Sequence, residues 1–215
     1  MAEMFSAVRR STLGIGVFAI VTAGVIAATQ VATKEKIEAN IAEAEAKALY
    51  EILPRSLDDR LHEQRLDIAP TPELGLDQAH HAWQAIVDGE VRGVILQVTA
   101  PDGYSGDIHL LVGINRDESL AGIRVTSHKE TPGLGDKIEL SKSNWLDGFV
   151  NQVMDGPNDS SWAVKKDGGR FDQFTGATIT PRAVVNAAGR AIQYFRAHKA
   201  QLLTPVASNN KSGDA

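Results

Sequence analysis

The sequence predicts an α+β protein: a single N-terminal transmembrane helix, then a mainly antiparallel sheet with flanking helices. Residues 11–33 carry no charged side chain, which favours a membrane span. Residues 83–126 alternate between β-rich runs and turn residues, which favours neighbouring antiparallel strands. Residues 180–199 repeat apolar side chains at helical spacing. With 43% hydrophobic and 23% charged residues, most of the chain should fold.

Composition excludes several kinds of function. The formal net charge is -5 and no basic run occurs, so nucleic acid is not an expected partner. The chain has no cysteine, which excludes disulfides, a Cys-ligated iron–sulfur cluster and a thiol nucleophile within it. His80 and His81 are adjacent on a predicted strand and would point to opposite faces, so no metal site is predicted.

The uncharged segment 11–33 is long enough to span a membrane. At about 1.5 Å per residue, a helix of this length crosses a hydrocarbon core of about 30 Å. A cleaved signal peptide is the alternative, although its apolar region is usually only about 7–15 residues long. Arg9 and Arg10 on one side balance Lys34 and Lys36 on the other, so the basic residues alone do not decide the orientation.

The segments after the membrane helix follow from helical spacing, turn residues and composition. Residues 34–53 form an amphipathic helical stalk that Pro54 ends, and residues 54–80 are rich in loops. Thr180 is the expected N-cap of the last helix, with Pro181 at its first position. The predicted strands are 83–87, 91–99, 108–114 and 120–126, with a further hairpin from 162–166 and 170–174. The predicted domains are a tail at 1–10, the membrane helix at 11–33, the stalk at 34–53, a folded domain at 54–200 and a disordered tail at 201–215.

The segment 172–181 is the most informative one for chemistry. It predicts a strand end, a turn of small residues and a helix start. The first turn of a helix offers unpaired N–H groups and the positive end of its dipole to an anion. Gly176 and Ala177 are small enough for a bulky phosphate ester to approach Thr178. Such a turn is also typical of ordinary helix capping, so the residues alone leave both interpretations open.

This segment resembles the signature of covalently flavinylated FMN-binding domains, in which an acidic residue precedes Thr/Ser-Gly-Ala-Thr. In that family a dedicated transferase joins FMN through its phosphate to the last threonine. The matching position here is Thr178. Asp172, Thr175, Gly176 and Ala177 match the rest of the signature.

A second motif, at residues 130–135, resembles the loop that packs against the flavin ring in the same family. It consists of Glu130, Thr131, Pro132, Gly133, Leu134 and Gly135. Gly133 and Gly135 would let backbone amides approach a flat heterocycle. Four aromatic residues are candidates to cover the ring, although core packing is the commoner role for each: Tyr104, Trp145, Phe149 and Phe174.

The order of these features over residues 10–200 is most similar to the G subunits of Rnf-type ion-translocating electron-transport complexes. The resemblance implies a covalent FMN on Thr178, a flavin transferase during maturation, and other subunits of the complex as partners. It also implies a single-pass protein of the bacterial inner membrane with a periplasmic domain, relaying electrons while the complex couples ferredoxin–NAD electron transfer to ion movement. The C subunits of sodium-pumping NADH:quinone reductases are the nearest alternative. A cofactor-free scaffold and a periplasmic sensor are alternatives from other classes.

Overall fold

The computed structural model describes residues 2–206 and confirms the predicted fold class. The chain divides into two compact units, Met1–Ala44 and Glu45–Ala215. Helix α1, Ala2–Ile52, accounts for the described part of the first unit and ends in the second. The second unit contains a five-stranded antiparallel sheet and two further helices, α2 at Ile179–Ala197 and α3 at Lys199–Leu202.

One stretch of α1, Thr12–Ile37, is long and apolar enough to cross a membrane. Its large apolar side chains, such as Phe18 and Ile20, are exposed along the helix, as expected for a surface that lipid would cover. The Thr22 and Thr29 hydroxyls donate to carbonyl oxygens one turn earlier, at 2.8 and 2.7 Å. These bonds satisfy the hydroxyl donor of each side chain within the helix itself.

The sheet is a simple meander whose strand order is also the sequence order. Asp88 and Gly89 both have positive φ, 52° and 78°, which is the geometry of the predicted Asp-Gly hairpin turn. β1 lies inside the segment 54–80, which was predicted to be rich in loops, and it pairs with β2. A strand this short shows no periodic pattern in the sequence, and its pairing with a neighbouring strand determines its conformation. The strands are β1 Arg65–Ile68, β2 His80–Val87, β3 Glu90–Gly103, β4 Gly106–Asn115 and β5 Leu120–Ser127.

Both faces of the sheet are covered by helices. The predicted apolar side of the last helix is buried on one face: Val184, Val185, Ala188, Ile192 and Phe195. On the other face, Leu49 and Ile52 at the end of α1 pack with Trp83. Gly113 makes room for this helix end, since a Cβ there would overlap Ile52 Cγ2. The last turns of the predicted stalk are therefore part of the domain core.

The hairpin predicted for residues 162–174 is wrong. The chain forms a short 3-10 helix, Lys165–Asp167, and the two predicted strands meet at a single parallel bridge between Val164 and Phe171. Phe171 instead stacks on Phe149, with ring centroids 4.4 Å apart. Burial of aromatic rings in the core outweighs the local preference of this segment for strand pairing.

The C-terminal segment that follows α2 is tied to the sheet through a buried glutamine. Gln84 Nε2 donates to the carbonyl oxygens of Leu202 and Thr204, at 2.8 and 2.9 Å, and its Oε1 accepts from Val206 N–H at 2.8 Å. The predicted tail at 201–215 did not anticipate these contacts. The rest of that prediction, residues 207–215, lies outside the described residues.

Candidate functional site

Thr178 stands between a tight turn and the first residue of α2. The turn is closed by the Ala177 N–H, which donates to Phe174 O at 3.1 Å. Gly176, the third residue of the turn, has φ +83°, a value that glycine adopts without the penalty paid by other residues. The predicted turn of small residues leading into the last helix is therefore present, with Thr178 as the N-cap residue.

Thr178 has a hydroxyl that the fold leaves available. Within residues 2–206, the side chains of Thr175 and Thr178 make no hydrogen bond. Thr180 differs, since it is buried and its hydroxyl donates to Glu130 Oε2. The prediction that Thr180 caps the last helix is wrong: the helix begins at Ile179, and the Thr180 hydroxyl bonds across the fold instead of to the helix backbone.

A pocket of about 260 Å³ opens beside Thr178. This volume is below the range of about 300–1,000 Å³ typical of small-molecule sites, so it suits part of a large ligand. None of its lining residues is a lysine or arginine. The lining residues are Tyr104, Glu130, Thr131, Leu134, Gly135, Gly176, Ala177, Thr178, Ile179 and Thr180.

Both sequence motifs thus meet at one pocket, although they are separated by about forty residues of chain. Thr175, Gly133, Trp145 and Asp172 were also predicted as site residues and do not line it. Ile179 and Thr180 line it without having been predicted as site residues. Their position directly after Thr178, at a helix start, is the signal that could have identified them.

The loop after Glu130 is closed by its own backbone. The N–H groups of Leu134 and Gly135 donate to Thr131 O at 3.1 and 3.0 Å. Gly133 has φ +78° and no atom within 4 Å of the place that a Cβ would occupy, whereas a Cβ on Gly135 would lie 2.8 Å from Glu130 Oε2. The two glycines therefore have different roles: Gly133 permits the turn, and Gly135 permits close packing.

Trp145 and Asp172 lie behind the turn and support it. The Trp145 indole N–H donates to Asp172 O at 2.9 Å, and its ring packs edge-on against Phe149 and Phe174. The Asp172 carboxylate is exposed and pairs with Lys165 at 2.6 Å. Of the four aromatic candidates, only Tyr104 lines the pocket, and 67% of its surface is exposed.

Ion pairs surround the site without entering the pocket. Arg182, in the first turn of α2, donates to both carboxylate oxygens of Asp167, at 2.6 and 2.9 Å. These bonds lower the pKa of Asp167 and raise the pKa of Arg182. The hydrogen bond from His128 lowers the pKa of Glu139 in the same way. Elsewhere, His80 is buried while His81 pairs with Asp67, and no cluster of metal-ligating residues occurs within residues 2–206.

Comparison with known proteins assigns the chain to a class and then to a family. The FMN-binding domain family matches residues 103–193, which include the whole pocket, and the RnfG N-terminal region matches residues 1–52. The fold and the site therefore define an FMN-binding domain that follows an N-terminal apolar helix.

Full-length relatives narrow this class further. The G subunit of the ion-translocating oxidoreductase complex of Pseudomonas aeruginosa is 48% identical over 91% of this chain and 92% of its own length. The corresponding G subunits of Vibrio cholerae and Cronobacter sakazakii are 42% and 46% identical, over 93% and 94% of this chain and 95% and 96% of their own lengths. The chain belongs to the family of G subunits of ion-translocating oxidoreductase complexes.

Proposed function

We propose that Thr178 carries an FMN, esterified through its phosphate, and that the chain is an electron-carrying subunit of an ion-translocating oxidoreductase complex. The observation that carries the proposal is the Thr178 hydroxyl. It is free of intrachain hydrogen bonds within residues 2–206, and it lies in a pocket built from both family motifs. Membership of the G subunit family and the match to the FMN-binding domain support the same conclusion.

The residues around Thr178 fit a phosphate ester. The small residues Gly176 and Ala177 leave the approach to the hydroxyl open. Ile179 and Thr180 begin α2, so their N–H groups have no partner within the helix and are available to an anion attached at the neighbouring Thr178. When bound, a flavin supplies reversible one- and two-electron chemistry, and the chain holds it in place and sets its surroundings.

Formation of the ester requires an activated flavin phosphate, such as a flavin dinucleotide, and a transferase. The Thr178 Oγ–P bond forms and the P–O–P bond of the dinucleotide breaks. The other, non-flavin nucleotide leaves as its monophosphate and takes up the hydroxyl proton. No electron is exchanged in this step. The Asp172 carboxylate lies on the surface near the turn, where the transferase could contact it. It is exposed and pairs with the side chain of Lys165.

The remaining assignments rest on the family. The relatives are subunits of ion-translocating oxidoreductase complexes, so the expected partners are the other subunits of such a complex. We place α1 in the bacterial inner membrane, the sheet domain in the periplasm, and residues 1–10 on the cytoplasmic side. The complex would couple ferredoxin–NAD electron transfer to ion movement. The match to these G subunits argues against the quinone-reductase alternative.

The mass of the intact chain tests the attachment site. We expect the full-length protein, produced with a flavin transferase, to exceed its sequence mass by one FMN less one water. Thr178→Ala should remain folded and lose this added mass, because its hydroxyl supports no other contact within residues 2–206. Thr175→Ala, which removes the neighbouring free hydroxyl, is the matched control and should keep it. An unmodified wild-type chain would support the cofactor-free scaffold, and covalent flavin on Thr178→Ala would exclude this site.

A further inference from the structure

A buried carboxylate joins the three segments that form the pocket. Glu130 is 4% exposed. Its Oε1 accepts the Ser105 N–H at 2.9 Å, from the turn between β3 and β4, and its Oε2 accepts the hydroxyl of Thr180 at the start of α2. Glu130 also begins the loop whose residues Leu134 and Gly135 line the pocket.

One glycine, Gly135, makes room for this carboxylate. A Cβ on Gly135 would lie 2.8 Å from Glu130 Oε2 and 2.9 Å from the Thr180 hydroxyl oxygen. A Cβ on Gly103 would lie 3.0 Å from Glu130 Oε1, but it would first overlap the carbonyl oxygen of Gly106. These distances are shorter than ordinary carbon–oxygen contacts. The backbone at Gly135 therefore leaves no space for a side chain beside the carboxylate.

Hydrogen bonds hold the side chain of Glu130 in place. Within residues 2–206, Glu130 makes no ion pair, so its two oxygens depend on the Ser105 amide and the Thr180 hydroxyl. A buried polar group that loses its hydrogen-bond partner is left without water or protein to replace it, which costs free energy. The arrangement of the three segments should therefore be sensitive to either partner.

We propose that Glu130 is the positioning residue of the attachment site. It acts through Thr180 and Ser105, fixing the start of α2 and the Tyr104 turn so that the pocket walls stand around Thr178. It does not contact the reacting atoms itself. This inference rests on the proposed function, and it gives Glu130 a role beside the expected packing of its loop against the flavin ring.

The rate of flavin transfer tests this proposal. Full-length protein made without transferase is purified in detergent and mixed with transferase and flavin dinucleotide, and covalent FMN is followed by mass spectrometry. We expect Glu130→Gln and Thr180→Val to slow transfer about tenfold or more, as loss of a charge-assisted bond implies. Thr180→Ser keeps the hydroxyl and should restore the wild-type rate. Glu118→Gln, which removes a carboxylate that bonds Arg196 and Lys199 outside the pocket, is the control.

A double variant tests whether Glu130 and Thr180 act through one contact, and a melting curve of each variant shows that it is folded. Glu130→Gln with Thr180→Val should be no slower than the slower single variant, because both remove the same contact. Wild-type rates in folded Glu130→Gln and Thr180→Val would overturn the proposal, as would a slowing that Thr180→Ser shares. If Glu130→Gln does not fold, the comparison of Thr180→Val with Thr180→Ser decides. A wild-type chain that accepts no flavin would instead refute the proposed function.

Discussion

Two alanine substitutions in one loop, Gly133→Ala and Gly135→Ala, should lower stability by similar amounts and affect the site differently. At Gly133 the new methyl group meets no atom within 4 Å, but φ is +78°. At Gly135 the backbone is not left-handed, and the methyl group would press on Glu130 and Thr180 at 2.8 and 2.9 Å. The first substitution strains only the backbone, and the second strains the pocket.

The expected magnitudes follow from these geometries. An alanine in the left-handed region costs roughly 1–2 kcal/mol. Forcing an extra carbon into a closely packed site costs about 1–3 kcal/mol. Urea unfolding of the full-length protein in detergent should therefore give similar, lowered midpoints for the two variants. A stability measurement alone would not reveal that the two glycines have different roles.

Flavin transfer and the flavin potential reveal it. We expect Gly135→Ala to slow covalent transfer to Thr178, because it displaces the carboxylate that holds the pocket walls, while Gly133→Ala transfers at the wild-type rate. Equal slowing in both variants would refute the division of roles. A shifted potential in a stable Gly133→Ala protein would show instead that this glycine brings its backbone against the flavin ring.

Two further predictions concern charges outside the pocket. Asp172→Asn should abolish flavin loading in cells with the transferase while costing at most about 1 kcal/mol of stability, since its ion pair is exposed. Lys165→Met is the control: it breaks the same ion pair but keeps the carboxylate, so it should load flavin normally. Normal loading of Asp172→Asn as well would exclude a role for Asp172. Hydrogen bonds from Lys199 and Arg196 lower the pKa of Glu118 below 4.5, so its contribution to stability is present above pH 4.5 and is lost as the pH falls through the lowered pKa. Glu118→Gln should therefore reduce the thermal unfolding midpoint at pH 7 and not at strongly acidic pH, and an equal reduction at both would contradict this.

The sequence predicted those features that depend on local chemistry. The Asp88-Gly89 turn needs two residues with positive φ, and the apolar face of α2 needs only regular spacing, so both could be identified without the fold. The segment 162–174 could not, because its aromatic side chains pack against partners distant in sequence. Burial of Ile52 against Gly113 likewise depends on which face of the sheet the helix end meets.

In the candidate site, too, local features could be predicted from the sequence and tertiary contacts could not. The turn around Thr178 could be predicted because Gly176 and the helix start are adjacent in sequence to the hydroxyl they expose. The bond between Thr180 and Glu130 could not, since it joins positions fifty residues apart and competes with a simple capping role for the same hydroxyl. Helix capping is a common use of a threonine before proline, and tertiary contact overrides it here.

The composition of the pocket explains why a covalent bond would be useful at this site. Proteins that bind free phosphate groups usually place arginine or lysine against them. This pocket has neither among its lining residues. Its volume of about 260 Å³ is also below the range of about 300–1,000 Å³ that is typical of small-molecule sites. An FMN esterified to Thr178, as proposed, would be retained whatever the affinity of the pocket, so these residues would need only to orient its phosphate end.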